Sequence, residues 1–112
     1  MGQSINPKTV ILYRNNPGEE PFVNWLNGLK DSQARRRVLA RLRRIEQGSY
    51  GDFKYLHNGV FELRLFFGAG YRVYFAEDGD NIVVLLTGGH KGSQSKDIEM
   101  AVKYWQEYQT HD

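Results

Sequence analysis

Arg64 and Arg72 each stand in a stretch where polar and apolar residues alternate, VFELRLFF and YRVYFAED. Tyr74 follows Arg72 by two positions, and His90-Lys91 close the next apolar run. Alternation at period two puts Arg64, Arg72 and Tyr74 on a single sheet face, with Lys91 continuing that face if its strand runs far enough. A planar guanidinium offers a fork of donors that matches phosphate oxygens, and an ammonium adds a point charge. Such a face suits a phosphate, so a nucleic-acid function is the chemistry to argue. The ordinary alternative is an arginine that is solvated or ion-paired, and Glu62 is a ready partner for it.

Register sharpens this picture. A three-residue loop at Gly68-Ala69-Gly70 sets Phe67 against Tyr71, Arg64 against Tyr74 and Arg72 against Phe66. A two-residue turn at Asp78-Gly79 sets Tyr74 against Val83, with Thr87, Gly89 and Lys91 on the same face. Lys54 depends on the Asn58-Gly59 turn. A two-residue turn places it opposite Leu63 on the core side, and a three-residue loop places it beside Arg64.

These residues need elements to hold them. Thr9 to Tyr13 is a short β-branched run, expected as a first strand and broken by Asn16-Pro17-Gly18. Phe22, Trp25, Leu26 and Leu29 fall at helical spacing, with Pro21 in the first turn. Gly28 and Asp31 mark the junction to a second helix, capped by Asp31 or Ser32. Its apolar stripe is Ala34, Val38, Leu42 and Ile45, widened by Leu39, and Gly48 stops it. Arg35, Arg36, Arg37, Arg41, Arg43 and Arg44 cover the rest of this helix. An arginine-rich helix face is ordinarily solvated or docks a partner; Arg37, Arg41 and Arg44, with Lys54, are the candidates for outlying phosphate contacts if the partner is a nucleic acid. Ile82 to Leu86 reads as a central strand buried on both faces. Ile98, Ala101, Val102, Trp105 and Tyr108 give a last helix, with Asp97 and Glu99 near its positive end. The predicted order is β-α-α-β-β-β-β-α. It is an α+β fold: a strand and an αα-hairpin packed with a curved, mostly antiparallel sheet of four to five strands and a C-terminal helix.

A length of 112 residues, 40% hydrophobic content and 13% aromatics suit a single domain over residues 1–112 with one core. The absence of cysteine excludes disulfides and thiolate metal sites. His57, His90 and His111 lack metal-ligand spacing, so neither metal nor cofactor is expected. His57 and His111 read as exposed bystanders, whereas His90 is set apart by its neighbour Lys91. No apolar run could span a bilayer, and MGQSIN is neither a secretory leader nor a myristoylation signal, so a cytoplasmic protein with no membrane partner is expected. The net charge of +2 is small, but the basic residues concentrate between Lys30 and Arg44.

Several segments together resemble the RelE/ParE superfamily of toxins from toxin–antitoxin modules, and its HigB-like branch in particular. They are Phe22-Val23-Asn24-Trp25-Leu26, Gly51-Asp52-Phe53-Lys54, Val60-Phe61-Glu62-Leu63-Arg64, Gly70-Tyr71-Arg72-Val73-Tyr74-Phe75, Gly88-Gly89-His90-Lys91 with Gln94, and Asp97-Ile98 with Ala101. The resemblance spans nearly the whole chain and implies the RelE-like fold. It also implies a metal-independent endoribonuclease that cuts mRNA on the ribosome through attack of the 2′-OH on the adjacent phosphodiester. A cognate helix-turn-helix antitoxin would hold it inactive, and operator DNA would be bound only through that antitoxin. By this resemblance Arg64 and Arg72 stabilise the transition-state charge, and Tyr74 orients the 2′-OH or stacks on a base. Lys91, with Lys54, stabilises charge or acts as general acid, and His90 suits proton transfer near neutral pH. Branch members more often carry Asp or Asn where His90 stands. ParE-type relatives share the fold and inhibit DNA gyrase, and a non-toxic phage-derived interaction protein is a third reading.

Overall fold

The computed structural model describes residues 7–110; the Met1–Asn6 leader reading and His111 lie outside them. Strand β1 (Thr9–Leu12) leads into helices α1 (Pro21–Gly28) and α2 (Ser32–Glu46), then strands β2 (Phe53–His57), β3 (Val60–Leu65), β4 (Tyr71–Asp78) and β5 (Ile82–His90). A short 3-10 turn, Lys91–Ser93, joins β5 to helix α3 (Gln94–Thr110). The expected order of strands and helices is therefore the observed one, with a mixed α+β architecture. Among the described residues, no helix is long and apolar enough to cross a membrane.

Local chemistry explains the element boundaries. Pro21 occupies the first turn of α1, where its missing N–H costs nothing. The Asp31 carboxylate caps α2 by accepting from the Gln33 N–H at 2.9 Å. After α2, Gly48 N–H donates to the Ile45 carbonyl and Ser49 N–H to the Arg44 carbonyl, which satisfies the helix end. The β2–β3 turn places Asn58 and Gly59 at φ 54° and 83°, the pair of left-handed conformations that Asn-Gly tolerates best.

The five strands lie in the order β1-β5-β4-β3-β2. β1 runs parallel to β5, and the other pairings are antiparallel. Apolar clusters cover both faces, where one core was expected. The αα-hairpin packs Phe22, Leu26, Val38, Leu42 and Ile45 against Leu63, Leu65, Val73, Phe75, Val83 and Leu85. α3 packs Ala101 and Trp105 against Val60, Tyr74, Ala76, Val84 and Leu86. The middle of β5 is buried on both sides, as its unbroken apolar run requires.

Register differs from expectation in two places. Arg64 pairs with Arg72, Glu62 with Tyr74 and Leu65 with Tyr71, because the β3–β4 loop spans Phe66 to Gly70 rather than three residues. The slip is two positions, so every side chain keeps its face. In β4–β5 the turn has three residues, Gly79 to Asn81, because Asp78 pairs with Ile82, and a bulge between Tyr74 and Phe75 adds one more step; together they set Tyr74 against Thr87 and Arg72 against Gly89.

Candidate nucleic-acid interface

Arg64 and Arg72 are direct cross-strand neighbours on β3 and β4. Side chains opposed this way on one sheet face lie within reach of each other. Each has a carboxylate partner. Arg64 Nη2 donates to Asp52 Oδ1 at 3.0 Å, and Arg72 Nη1 lies 3.4 Å from Glu62 Oε1. Their surroundings differ. The Arg64 side chain is 34% exposed, whereas Arg72 is 13% exposed and Glu62 only 2%.

A buried carboxylate must be paired and hydrogen-bonded to stay charged. Glu62 takes its second bond from Gln94 Nε2 at 2.7 Å, at the start of α3. Asp97, one turn further on, accepts from Ser93 Oγ and lies over Gly89. A Cβ at Gly89 would collide with the Asp97 carboxylate, and a Cβ at Gly88 would fall inside the Trp25 ring on the other face. The Gly88-Gly89 pair thus lets α3 and α1 close on β5 from opposite sides.

Tyr74 does not take the role expected of it. It is fully buried between the sheet and α3, so no nucleobase can stack on it. Burial raises its phenol well above the ordinary range, and the nearby Glu62 and Asp97 charges add to that. Its hydroxyl has no hydrogen-bond partner among the described residues, and neither have the buried Nε atoms of Arg64 and Arg72 or the Oδ2 of Asp52. Four orphaned polar atoms therefore gather around this one patch of sheet. Native interiors rarely tolerate such atoms without a reason.

The remaining candidates separate. Lys54 pairs with Glu62 in the register, which puts it on the polar face and exposed; the Asn58-Gly59 turn has two residues, and a β2 irregularity between Tyr55 and His57 moves Lys54 off Leu63. Lys91 is not part of β5. The strand ends at His90, and exposed Lys91 opens the 3-10 turn, where its N–H donates to the Ala69 carbonyl of the β3–β4 loop. His90 stands opposite Tyr71, so alternation turns it from the face that holds Arg72. Its Nδ1 accepts from the Gly92 N–H at 3.0 Å, which leaves the proton of the neutral ring on Nε2.

Arg41 departs furthest from the RNA-binding role. It donates to the carbonyls of Arg64 at 2.8 Å, Tyr50 at 2.9 Å and Asp52 at 3.2 Å. It is a staple between α2 and the segment that carries Asp52, with both terminal nitrogens bonded to backbone carbonyls. Burial, and then the Arg44 charge, lower its pKa. Arg37 lies over the Phe67 ring at 4.7 Å and is exposed, as is Arg44. Both keep donors free for an anion.

Sequence reasoning gave no role to Asp52 or to Phe66. The signal for Asp52 was its Gly-Asp step just before β2, opposite a strand bearing arginine. Phe66 is 80% exposed in the β3–β4 loop, with the Arg64 guanidinium 5.9 Å from its ring centre. Among the described residues no group of three or more His, Asp or Glu side chains could hold a metal ion. A cavity of about 1190 Å³ opens between Leu12–Pro17, the Glu77–Gly79 turn and the C-terminal part of α3, at the far end of β4 from Arg72.

Comparison with known proteins places this architecture. A protein of Haemophilus influenzae, described as uncharacterized, is 44% identical over 80 residues, which covers 71% of this chain and 81% of that protein. The match to the family described as "Phage derived protein Gp49-like (DUF891)" runs over residues 24–105, from α1 to Trp105 of α3, and so takes in β2 to β5 with both arginines; the chain belongs to that family.

Proposed function

We propose that this protein is the toxin of a type II toxin–antitoxin module and a metal-independent endoribonuclease that cuts mRNA, on the ribosome, in the cytoplasm. One observation carries the reading. Arg64 and Arg72 are cross-strand neighbours on one sheet face, the Arg64 side chain 34% exposed and Arg72 13%. Two forks side by side suit the two non-bridging oxygens of a phosphodiester and the charge that grows on them. The likeness to RelE/ParE toxins and membership of a phage-derived family support the same reading.

In this scheme the 2′-OH loses its proton and its oxygen bonds to phosphorus. The P–O5′ bond breaks, leaving a 2′,3′-cyclic phosphate and a 5′-hydroxyl that takes up a proton. Arg64 meets the phosphate at the open edge, and Arg72 supports it from beneath. Lys54 shares their face, and Lys91 sits at the loop that borders it. His90, with its proton on Nε2, can donate but is turned from Arg72. Exposed Arg37 and Arg44 would touch rRNA phosphates, a contribution that weakens with salt. A helix-turn-helix antitoxin would neutralise the toxin and carry the pair to operator DNA.

The Asp52 and Glu62 pairs favour a second reading, in which both arginines are structural and the protein is a gyrase-inhibiting or non-toxic binding protein. Primer extension on a defined mRNA in programmed ribosomes separates the two. We expect a new cut that falls by a factor of about 100–1000 in Arg64→Ala, as for loss of one donor to developing charge. An intact message from folded wild-type protein would sink the ribonuclease reading.

A further inference from the structure

We propose that Phe66 is a nucleobase-stacking platform for single-stranded RNA, the aromatic contact that buried Tyr74 cannot provide. This inference rests on the ribonuclease reading and adds to it the residue that holds a base beside the reacting phosphate. Phe66 and Phe67 are consecutive and treated oppositely. Phe67 folds inward, 5.4 Å from Tyr71 and beneath Arg37, while Phe66 is 80% exposed. A phenylalanine left in water forgoes the gain of burying its ring, so the loop presents a surface the fold does not use.

Its place gives that surface a partner. Phe66 follows Arg64 by two residues, and the Arg64 guanidinium lies 5.9 Å from the ring centre, within the range of a cation–π contact. A phosphate on Arg64 therefore carries its base past an open aromatic face. Lys91, whose backbone is bonded to the same loop at Ala69, adds positive charge to the border of the site. Every base has a π-face, so this contact tolerates sequence and favours single strands, whose bases are unstacked. The positive groups around the ring argue for RNA over an apolar protein segment.

The test is fluorescence anisotropy with a labelled single-stranded oligoadenylate carrying 2′-O-methyl groups, which cannot be cut by 2′-OH attack. Phe66→Ala should weaken binding about tenfold, as for loss of one stacked base, with the thermal midpoint unchanged because the side chain is exposed. Phe66→Trp should keep wild-type affinity, and Phe66→Leu should behave like alanine. Wild-type affinity in Phe66→Ala would overturn the platform and leave the ribonuclease reading standing. Wild-type affinity in Phe66→Leu would overturn stacking in favour of simple apolar contact. Loss of antitoxin affinity in Phe66→Ala with unchanged RNA affinity would reassign the ring to a protein partner. Wild-type protein that neither binds this oligonucleotide nor cuts mRNA would overturn both proposals together.

Discussion

Arg72 and Arg64 face each other across two strands, yet they live in different chemistry. Arg72 lies under the start of α3, bonded to buried Glu62, which in turn accepts from Gln94, beside the buried Tyr74 ring. Arg64 lies nearer the open edge with Asp52, Phe66 and the β3–β4 loop. One sheet face thus holds a buried ion pair and a half-exposed one. Removing a charge is costly where water cannot replace it and cheap where water can. The sealed half is suited to holding geometry, and the open half to meeting a ligand.

The largest test of this contrast is the removal of each carboxylate. Glu62→Ala strands Arg72 in the interior and should cost about 3–5 kcal/mol of stability. Asp52→Ala leaves Arg64 to solvent and should cost about 0–1 kcal/mol. Urea unfolding of both variants measures the difference; equal losses would erase the distinction between the two regions.

A smaller effect should come from the glycines that admit the covering helices. Gly89→Ala pushes against the Asp97 carboxylate and Gly88→Ala against the Trp25 ring. Overpacking of this kind costs about 1–3 kcal/mol. If the proposed ribonuclease reading holds, Gly89→Ala should also disturb the Arg72 network and lower cleavage, whereas Gly88→Ala, on the opposite face, should lower stability with little change in turnover. Turnover measured well below each unfolding midpoint decides this, and equal loss of turnover in both would deny α3 a part in aligning Arg72.

The smallest effect expected is alkaline. Tyr13, Tyr50 and Tyr74 have phenols raised above the ordinary value of 10.0, first by burial; hydrogen bonds to Glu107 and Glu77 add to this at Tyr13 and Tyr50, and the Glu62 charge adds to it at Tyr74. The fold favours the neutral phenol, so their contribution is complete below about pH 10 and is lost as pH rises toward the folded values. Thermal midpoints recorded from pH 8 to 11 should fall at the upper end. Tyr74→Phe removes the orphaned hydroxyl and should soften that fall. An unchanged slope would place Tyr74 outside the linkage.

Much of this was legible in the chain. Alternation in β3 and β4 assigned Arg64, Arg72 and Tyr74 to one face, and a slip of two positions left that assignment intact because side-chain direction repeats every two residues. Loop length was less legible: Phe66 and Phe67 looked like strand residues, and only the pairing of Leu65 with Tyr71 moved them into the loop. The role expected of Tyr74 was lost because alternation separates the two faces of a sheet but does not say whether both are covered. The α3 stripe of Ile98, Ala101 and Trp105 announced a helix that must bury one side, and nothing local named its partner.

The sequence by itself determined the elements, their order and the side of the sheet that Arg64, Arg72 and Tyr74 take. These follow from periodicity, caps and turn residues, which act over a few neighbours. Only the tertiary structure decided that α3 closes over Tyr74 and Arg72 while Arg64 and Phe66 stay near water, and that the terminal nitrogens of Arg41 bind three backbone carbonyls. Those outcomes depend on groups far apart in the chain, and burial, which sets the cost of every charge here, belongs to the packed whole.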